Sequence, residues 1–465
     1  MPLLCQSKLT DLRHKEIDNM SYGNDYSNKP FERASKTSHT NIINDSAVQS
    51  FLSKCKIPPY YEEIEDKDIK LYTLKEPIEN PIKNIITIDG GYTNVFVKED
   101  FPSSTIGFFQ FGALFFKHQD LLDLKQKPFI DPDDFSKLQN IQRIKLVVPT
   151  KGIALDGEVD FSSSVRRTIY EFFMSQPEKT GFMDALKWLI FEEYNIPNVK
   201  DTWHLATCPN CNEGVNIQRD RVQNDYTIKC PHCGEKIYLT DVLRLHEAID
   251  NELGAGGILG YLTTAVEQII IVYLIKQMLT IRPGLLAQTL FVKDGPLAFF
   301  GQTANLHKPM RQLMIYLNEH HAIYLVGLEK SGSFVEHAVQ ASKRMLPKQM
   351  LLLGNRYIYK YIIPGNGRDN EPYASSSYYG HKVIFKSEHN NVYVATIPNT
   401  QAKIEPQIDD YININEILYN ITALKCDLYY NSLVPVVLAN KLVSLADHPS
   451  SDLLKSFAQE KINKR

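Results

Sequence analysis

The chain has 465 residues, more than the roughly 100 to 200 of an ordinary domain, so we expect two or three structural units. Hydrophobic residues make up 43% and charged residues 23%, which excludes disordered and fibrous classes of protein. The formal net charge of -3 excludes a global positive field, so any contact with nucleic acid must be local.

Apolar runs in the sequence are short. The longest, Ile269 to Ile275, falls well below the roughly 18 to 20 residues that span a bilayer, so we expect no membrane span. Residues 1–28 contain no apolar segment of the kind found in secretory signals. Of the seven cysteines, Cys5, Cys55 and Cys426 are scattered and four form two pairs, which favours a metal site in a reducing compartment. We therefore predict a cytoplasmic protein.

The composition changes along the chain and predicts four segments. Residues 1–80 are polar and interrupted by prolines, which indicates a partly flexible N-terminal arm. Residues 81–200 form the first part of an α/β core, residues 201–240 a cysteine-containing insertion, and residues 241–465 the second part of the core.

The first part of the core begins with strands. The apolar run Ile85–Ile88 predicts a strand that stops at Asp89-Gly90-Gly91. Further strands, the first of them in hairpins, are predicted at 95–97, 107–111, 113–116 and 143–149. Helical spacing predicts helices at 165–174 and 181–194.

The second part alternates helices and strands. Helices are predicted at 241–253, 261–279, 309–319 and 435–446. Strands are predicted at 289–292 and 322–328, and a late hairpin at 383–386 and 392–397. The alternation is typical of an α/β core.

Two cysteine pairs form the most specific motif in the chain. Cys208-Pro209-Asn210-Cys211 and Cys230-Pro231-His232-Cys233 have the spacing of a zinc ribbon. Four thiolates satisfy the tetrahedral preference of Zn²⁺ and leave no position for water, which predicts a structural site. His204 and His232 lie nearby, and we expect them to be surface or packing residues. Whether the ribbon binds DNA or a protein stays open.

Two aspartates have a shared local pattern. Asp89 and Asp294 each follow an apolar strand and precede a glycine, although an Asp-Gly pair after a strand is usually only a turn. Phosphodiester hydrolysis by two hard cations needs carboxylates from several segments. Oxygen ligands select Mg²⁺ or Mn²⁺. The pair therefore indicates a candidate site for these ions.

A third carboxylate is expected from a helix. Glu267 is the best placed, although Thr264 and Glu267 also fit a capping box. Glu171 is the alternative, with Arg166 and Arg167 beside it as candidate phosphate contacts. A solvated helix face is the simpler interpretation of Glu171.

These residues resemble a known family. The two Asp-Gly strand ends, the Glu267 helix and the strand end at 327–332 are similar to the NurA nuclease family over residues 84–446, most densely at 291–297. The resemblance implies a ribonuclease-H-like mixed sheet with flanking helices, interrupted here by the zinc ribbon. It also implies a homodimer that cuts DNA with Mn²⁺ or Mg²⁺ beside a HerA-type hexameric ATPase translocase. Carried over by residue, it makes Asp89, Glu267 and Asp294 the metal ligands.

Further site residues are less specific. The family often has an Ala-His pair in a late helix, and this sequence has Ala439-Asn440. An asparagine can ligate a hard cation but cannot serve as a general base, so Asn440 is kept as a candidate ligand, with helix packing as the alternative. Lys330 is a candidate phosphate contact or a solvated lysine. Tyr379 and His381 rank below both.

Two other functions fit parts of the sequence. Residues 89–93, Asp-Gly-Gly-Tyr-Thr, also resemble the phosphate loop of actin-like ATPases, for which 365–367 would have to supply the adenosine site. A non-catalytic adaptor with a decayed nuclease core, binding DNA or protein through the ribbon, is the second alternative. DNA repair and defence against invading DNA both fit a nuclease.

Overall fold

The computed structural model describes residues 42–119, 141–365, 370–425, 433–445 and 450–463. The chain divides into two units, Met1–Ile57 and Pro58–Arg465. In the first unit the described residues form helix α1, Ser46–Lys54, where the Asp45 side chain accepts hydrogen bonds from the backbone N–H groups of Ala47 and Val48. Cys5, Cys426 and part of the 365–367 segment lie outside the described residues.

A mixed sheet of nine strands forms the centre of the second unit, in the order β1-β11-β12-β13-β10-β9-β2-β3-β4. Strand β9 is parallel to β2 and to β10, and the other neighbours are antiparallel. The strands are β1 Leu71–Thr73, β2 Asn84–Lys98, β3 Ser104–Lys117, β4 Ile141–Lys151, β9 Thr289–Asp294, β10 Tyr324–Glu329, β11 Gln349–Leu352, β12 Gly380–Lys386 and β13 Val392–Pro398. Strand β1 comes from the segment assigned to the N-terminal arm.

The remaining four strands lie in the cysteine segment and form two separate hairpins, β5 with β6 and β7 with β8. Their bounds are β5 Thr202–Leu205, β6 Val215–Gln218, β7 Thr227–Lys229 and β8 Lys236–Tyr238. Ten α-helices are described in the second unit: α2 Phe161–Ser175, α3 Gly181–Ile190, α4 Leu259–Ile281, α5 Pro283–Leu286, α6 His307–His320, α7 Ser333–Ala341, α8 Asn355–Tyr361, α9 Ile414–Ala423, α10 Val434–Val443 and α11 Asp452–Asn463.

Apolar side chains bury both faces of the sheet. On one face, helices α2, α3, α4 and α6 and the cysteine segment share one continuous core with β2, β3 and β4. On the other face, α9 and α10 cover the central strands. A smaller cluster joins α7 and α8 to β11, β12 and β13 through the strand residues that alternate with those of the α9 and α10 layer, so it lies on the same face as α4. Because side chains alternate along a strand, Ile86 and Ile88 of β2 face α4, whereas Ile85 faces the opposite layer. The predicted fold class, a mixed sheet with flanking helices and a cysteine cluster, is confirmed.

The structure corrects the predicted end of strand β2. The strand does not stop at Asp89-Gly90-Gly91 but continues to Lys98, paired with β3 along this length. What ends near Asp89 is the parallel pairing with β9, whose last partner on β2 is Ile88. Asp89 therefore lies at the end of a parallel ladder, inside a longer strand.

A second correction concerns the helix predicted at 241–253. The structure has two short 3-10 turns there, Leu239–Leu243 and Leu245–Ala248. Arg244 between them adopts a left-handed conformation with φ of 58°, which interrupts helical geometry. Asp241 also accepts a hydrogen bond from the backbone N–H of Tyr238 and so caps the turn. Side-chain contacts thus override the helical spacing.

Helix α4 confirms the prediction at 261–279. With the preceding turn, Gly256–Ile281 is the one span within the described residues that is long and apolar enough to cross a membrane, and 72% of its most apolar window is buried inside the protein. The uninterrupted apolar run Ile269 to Ile275 is only a part of this apolar helical span. A helix that is apolar on all sides is typical of a protein core, and α4 contacts β2, β3 and α3.

Candidate functional site

Three carboxylates lie near the point where the parallel pairing of β2 with β9 ends. Asp89 on β2 and Asp294 on β9 follow directly after the paired residues Ile88 and Lys293, so they lie next to each other on neighbouring strands. Glu267 comes from the middle of α4, which packs on β2. Asp89 and Glu267 are each 5% exposed. The structure therefore places Asp89 and Asp294 side by side, with the Glu267 carboxylate on the α4 face beside Gly90, the residue that follows Asp89.

Each of two carboxylates has a lysine partner. The Glu267 Oε2 atom lies 2.6 Å from Lys293 Nζ in a pair that is almost fully buried. The Asp294 Oδ2 atom accepts a hydrogen bond from Lys330 Nζ at 2.7 Å, and the Lys330 side chain is 30% exposed. Asp89 accepts from the backbone N–H of Gly90 at 2.9 Å.

Burial and neighbouring negative charges disfavour the ionised forms of the Asp89 and Glu267 carboxylates. Burial, followed by the charges of Asp294 and Glu267, raises the pKa of Asp89 to about 8. Burial also raises the pKa of Glu267, against the lowering effect of Lys293. A divalent cation would relieve this repulsion, because it favours the ionised carboxylates. The donor set, carboxylate oxygens from separate segments, fits Mg²⁺ or Mn²⁺.

The two glycines after Asp89 allow helices to approach both faces of β2. A Cβ atom on Gly90 would lie 2.8 Å from Phe111 Cδ1 and 3.1 Å from Glu267 Oε1, and one on Gly91 would lie 2.7 Å from the Val443 carbonyl oxygen. The predicted turn is absent here. After Asp294 it is present, since Gly295 has a φ of 87°.

The other candidates have different surroundings. The exposed carboxylate of Glu171 pairs with Arg167, whose side chain is 38% exposed. Arg166 is buried against Asp241, so this arginine is not free to meet a phosphate. Helix α10 packs on β2 and β3, where Asn440 is half-buried and makes no side-chain hydrogen bond to another described residue.

Tyr379 and His381, ranked low from the sequence, are buried and hydrogen-bonded within the fold. The Tyr379 hydroxyl is buried and donates to Gln268 Oε1 at 2.6 Å. The His381 ring is buried, with Nε2 lying 3.2 Å from the Gln401 carbonyl oxygen. Among the described residues, neither side chain makes a hydrogen bond to Asp89, Glu267 or Asp294.

The four cysteines form a cluster that could hold zinc. Their sulfur atoms all lie within 4.8 Å of one another, and the described carboxylates form no group of this kind. The Cys208–Cys233 and Cys211–Cys230 sulfur distances are 3.9 and 3.8 Å. A tetrahedron with Zn–S bonds of about 2.3 Å has an edge of about 3.8 Å, so the cluster has the size that zinc requires.

The backbone builds both cysteine pairs in the same way. The N–H of Asn212 donates to the Cys208 carbonyl, and the N–H of Gly234 donates to the Cys230 carbonyl. Both donors have positive φ, 62° and 78°. Each turn directs its two sulfur atoms to one point. His204 and His232 make other contacts, to Asn216 and to the Gly214 carbonyl.

Arg166 on α2 connects this helix to the cysteine segment and to the residue that follows it. It donates to both Asp241 carboxylate oxygens, at 3.0 and 2.8 Å, and to the Lys236 carbonyl oxygen at 3.3 Å. The Arg166 and Asp241 side chains are 8% and 4% exposed. Together with the shared apolar core, these contacts join the cysteine segment to α2.

The sequence interpretation missed the role of Lys293. The signal was a lysine within the apolar strand Thr289–Asp294, because a charged residue in a buried strand needs a partner. A second buried pair, Lys382 with Glu329, was also missed, and Lys382 Nζ lies 4.1 Å from the Phe334 ring centroid.

Comparison of the sequence with known protein families gives no match, and neither does comparison with curated proteins. Among solved structures, the chain is similar to the NurA nuclease from Sulfolobus solfataricus, with 8% identity and a TM-score of 0.32, covering 92% of this chain and 98% of that chain. It is also similar to a second solved structure, described as NurA, with 11% identity, a TM-score of 0.22 and the same coverage of 92% and 98%. Both of these solved structures are of NurA.

Proposed function

We propose that this protein is a nuclease that hydrolyses phosphodiester bonds in DNA with the help of Mn²⁺ or Mg²⁺. The observation that carries the proposal is that Asp89 and Asp294 lie on neighbouring strands where the parallel pairing ends, with Glu267 of α4 near enough for its charge to act on Asp89. Buried carboxylates that repel one another are costly without a cation, and they recur at functional sites.

The residues have distinct roles in this proposal. Asp89 and Asp294 would hold the cation, with Glu267 beside them and Asn440 as a further candidate ligand. A bound divalent cation would polarise the phosphate and lower the pKa of a bound water. Lys330 could leave Asp294 and donate to a phosphate oxygen, because its side chain is part-exposed.

DNA as the substrate and the partners are inferred from the family resemblance of the sequence. We infer a homodimer that works with a HerA-type hexameric ATPase translocase, in DNA repair or in defence against invading DNA. The chain contains no P-loop motif for nucleotide binding, which supports the need for an outside motor. The zinc cluster has a structural role in this proposal.

A cleavage assay on labelled single-stranded DNA tests the proposal. Wild type should cut with Mn²⁺ and not with a chelator. Asp89→Asn and Asp294→Asn should each lower the rate by at least about 100-fold, since each removes a ligand charge. Glu171→Gln is the matched control on an exposed helix face and should keep the wild-type rate. Full activity in both aspartate variants would refute the assignment.

The same assay decides between the alternatives. A non-catalytic adaptor would bind the labelled strand without cutting it under any metal condition. In that case the Lys293–Glu267 and Lys330–Asp294 pairs would be a substitute for lost cations. Release of phosphate from ATP by the purified chain would instead support the actin-like ATPase hypothesis.

A further inference from the structure

Lys293 is a buried cation within the candidate metal site. It is 3% exposed and belongs to β9, whose other residues before Asp294 are uncharged. Its Nζ atom donates to Glu267 Oε2 at 2.6 Å and to the Asp294 backbone carbonyl at 2.6 Å. Two acceptors on different elements therefore hold the ammonium group beside the carboxylates.

The second lysine of the site differs in its freedom to move. Lys330 pairs with the Asp294 carboxylate, and its side chain is 30% exposed, so it can rotate into solvent when a cation arrives. The Lys293 side chain is 4% exposed and has no such route. Removing it from Glu267 would leave two buried charges unpaired.

The charges of the site match one divalent cation. Once Lys330 has turned into solvent, the three carboxylates and Lys293 leave two net negative charges when all are ionised. One divalent cation neutralises these two charges. A second divalent cation would leave an excess of positive charge in a largely buried place, which is unfavourable.

We propose that Lys293 takes the place of one of the two metal ions of a two-metal site, so that each chain binds one catalytic divalent cation through Asp89 and Asp294. In this arrangement Glu267 balances Lys293 and is not a metal ligand. Lys293 is thus a positioning residue, since it acts through Glu267. The inference rests on the proposed function and replaces the two-metal mechanism predicted from the sequence.

Calorimetric titration with Mn²⁺ of the zinc-loaded full chain tests the stoichiometry. Wild type should bind one Mn²⁺ per chain. Lys293→Met should bind two, because it frees the Glu267 carboxylate. The double variant Lys293→Met/Glu267→Gln removes both charges together and should again bind one, with an affinity within about threefold of wild type.

The matched control is Lys382→Met, which breaks another buried lysine–glutamate pair, with Glu329, outside the carboxylate cluster. It should still bind one Mn²⁺, which separates the effect of Lys293 from a general loss of stability. Two ions on wild type, one ion on a folded Lys293→Met variant, or loss of binding in the double variant would each overturn the inference. If Lys293→Met does not fold, wild type and the double variant decide.

Failure of this inference differs from failure of the proposed function. Two bound Mn²⁺ with intact cleavage would contradict the role of Lys293 and leave the nuclease in place. Wild type that neither binds Mn²⁺ nor cuts DNA would refute the nuclease and the inference together. Unchanged Mn²⁺ binding in Asp89→Asn would place the metal elsewhere.

Discussion

Gly90 and Gly91 show how single residues set the geometry of the site. Their lack of a side chain lets α4 and α10 approach β2 from opposite faces, so that Glu267 reaches the strand. In an ordinary strand a glycine weakens the structure, because it adds backbone entropy and packs nothing. Here the close approach of two helices offsets that cost.

Gly90→Ala should lower the free energy of unfolding by about 1 to 3 kcal/mol and reduce cleavage, because the added Cβ would collide with Phe111 and displace Glu267. Denaturant unfolding and the cleavage rate measure the two effects. Gly260→Ala on α4 is the control, since a Cβ there meets nothing within 4 Å. It should leave stability unchanged or raise it by up to about 1 kcal/mol. Equal effects at both positions would contradict the packing argument.

His337 predicts a pH dependence of stability. Burial lowers its pKa from 6.5 to about 4, and its Nε2 atom lies 2.9 Å from the Tyr357 hydroxyl. Because the folded pKa lies below the unfolded one, its contribution is complete above pH 6.5 and is lost as pH falls towards 4. Between pH 7.5 and 5 we expect a loss of about 1 to 2 kcal/mol from this group.

The variant His337→Gln isolates this contribution. It removes the titrating group. The decrease in the free energy of unfolding between pH 7.5 and 5 should therefore be smaller than in wild type by about 1 to 2 kcal/mol. Urea unfolding at several pH values measures it. An unchanged slope in the variant would mean that His337 does not carry the effect.

At the scale of elements, the cysteine segment shares the main core. Apolar side chains of β5 to β8 pack in the same cluster as α2, α3 and α4. The Arg166–Asp241 pair adds a buried contact between α2 and the residues after β8. Zinc at the cluster would therefore stabilise the packing of this layer on the sheet as well as the two hairpins.

Metal analysis of the purified protein should find about one zinc per chain after Mg²⁺ and Mn²⁺ are removed, held by four cysteines. Cys230→Ser should lose the zinc and lower the thermal transition, because folding of the hairpins is coupled to metal binding. Cys55→Ser is the control, since Cys55 is exposed and outside the cluster. Absence of zinc from the wild-type chain would contradict the assignment. Loss of zinc from Cys55→Ser, with zinc retained in Cys230→Ser, would also contradict it.

At the scale of the whole molecule, the proposed translocase partner, inferred from the family resemblance, would supply what the sequence itself does not contain. Its sequence has no P-loop that would couple nucleotide hydrolysis to movement along DNA. Its formal net charge of -3 provides no long-range attraction for DNA. Continuous processing of long duplex then needs a motor that delivers strands to the site.

Short single strands should be cut by the protein alone, whereas a duplex of several hundred base pairs should be degraded only when a HerA-type hexameric ATPase and ATP are added. Gel analysis of end-labelled DNA separates the two reactions. The control replaces ATP by a non-hydrolysable analogue, which should stop duplex degradation. Degradation of the long duplex by the purified chain without ATP would overturn the need for a motor.

Several features of this protein can be predicted from local patterns in the sequence. Two cysteine pairs predict the cluster, and the long apolar spacing predicts α4. The apolar runs before Asp89 and Asp294 predict strands, and the structure pairs these strands in parallel. Glu267 was named from its place on a helix, and its proximity to the aspartates could be expected only through the family resemblance.

The contacts between these elements are visible only in the tertiary structure. Strand β2 continues through Asp89 because β3 pairs with it, and the 241–253 segment forms 3-10 turns in which Asp241 caps Tyr238 and contacts Arg166. The Lys293–Glu267 pair joins a strand and a helix that are separate in the sequence. Such contacts depend on long-range packing and on the desolvation of charges, which no local pattern encodes.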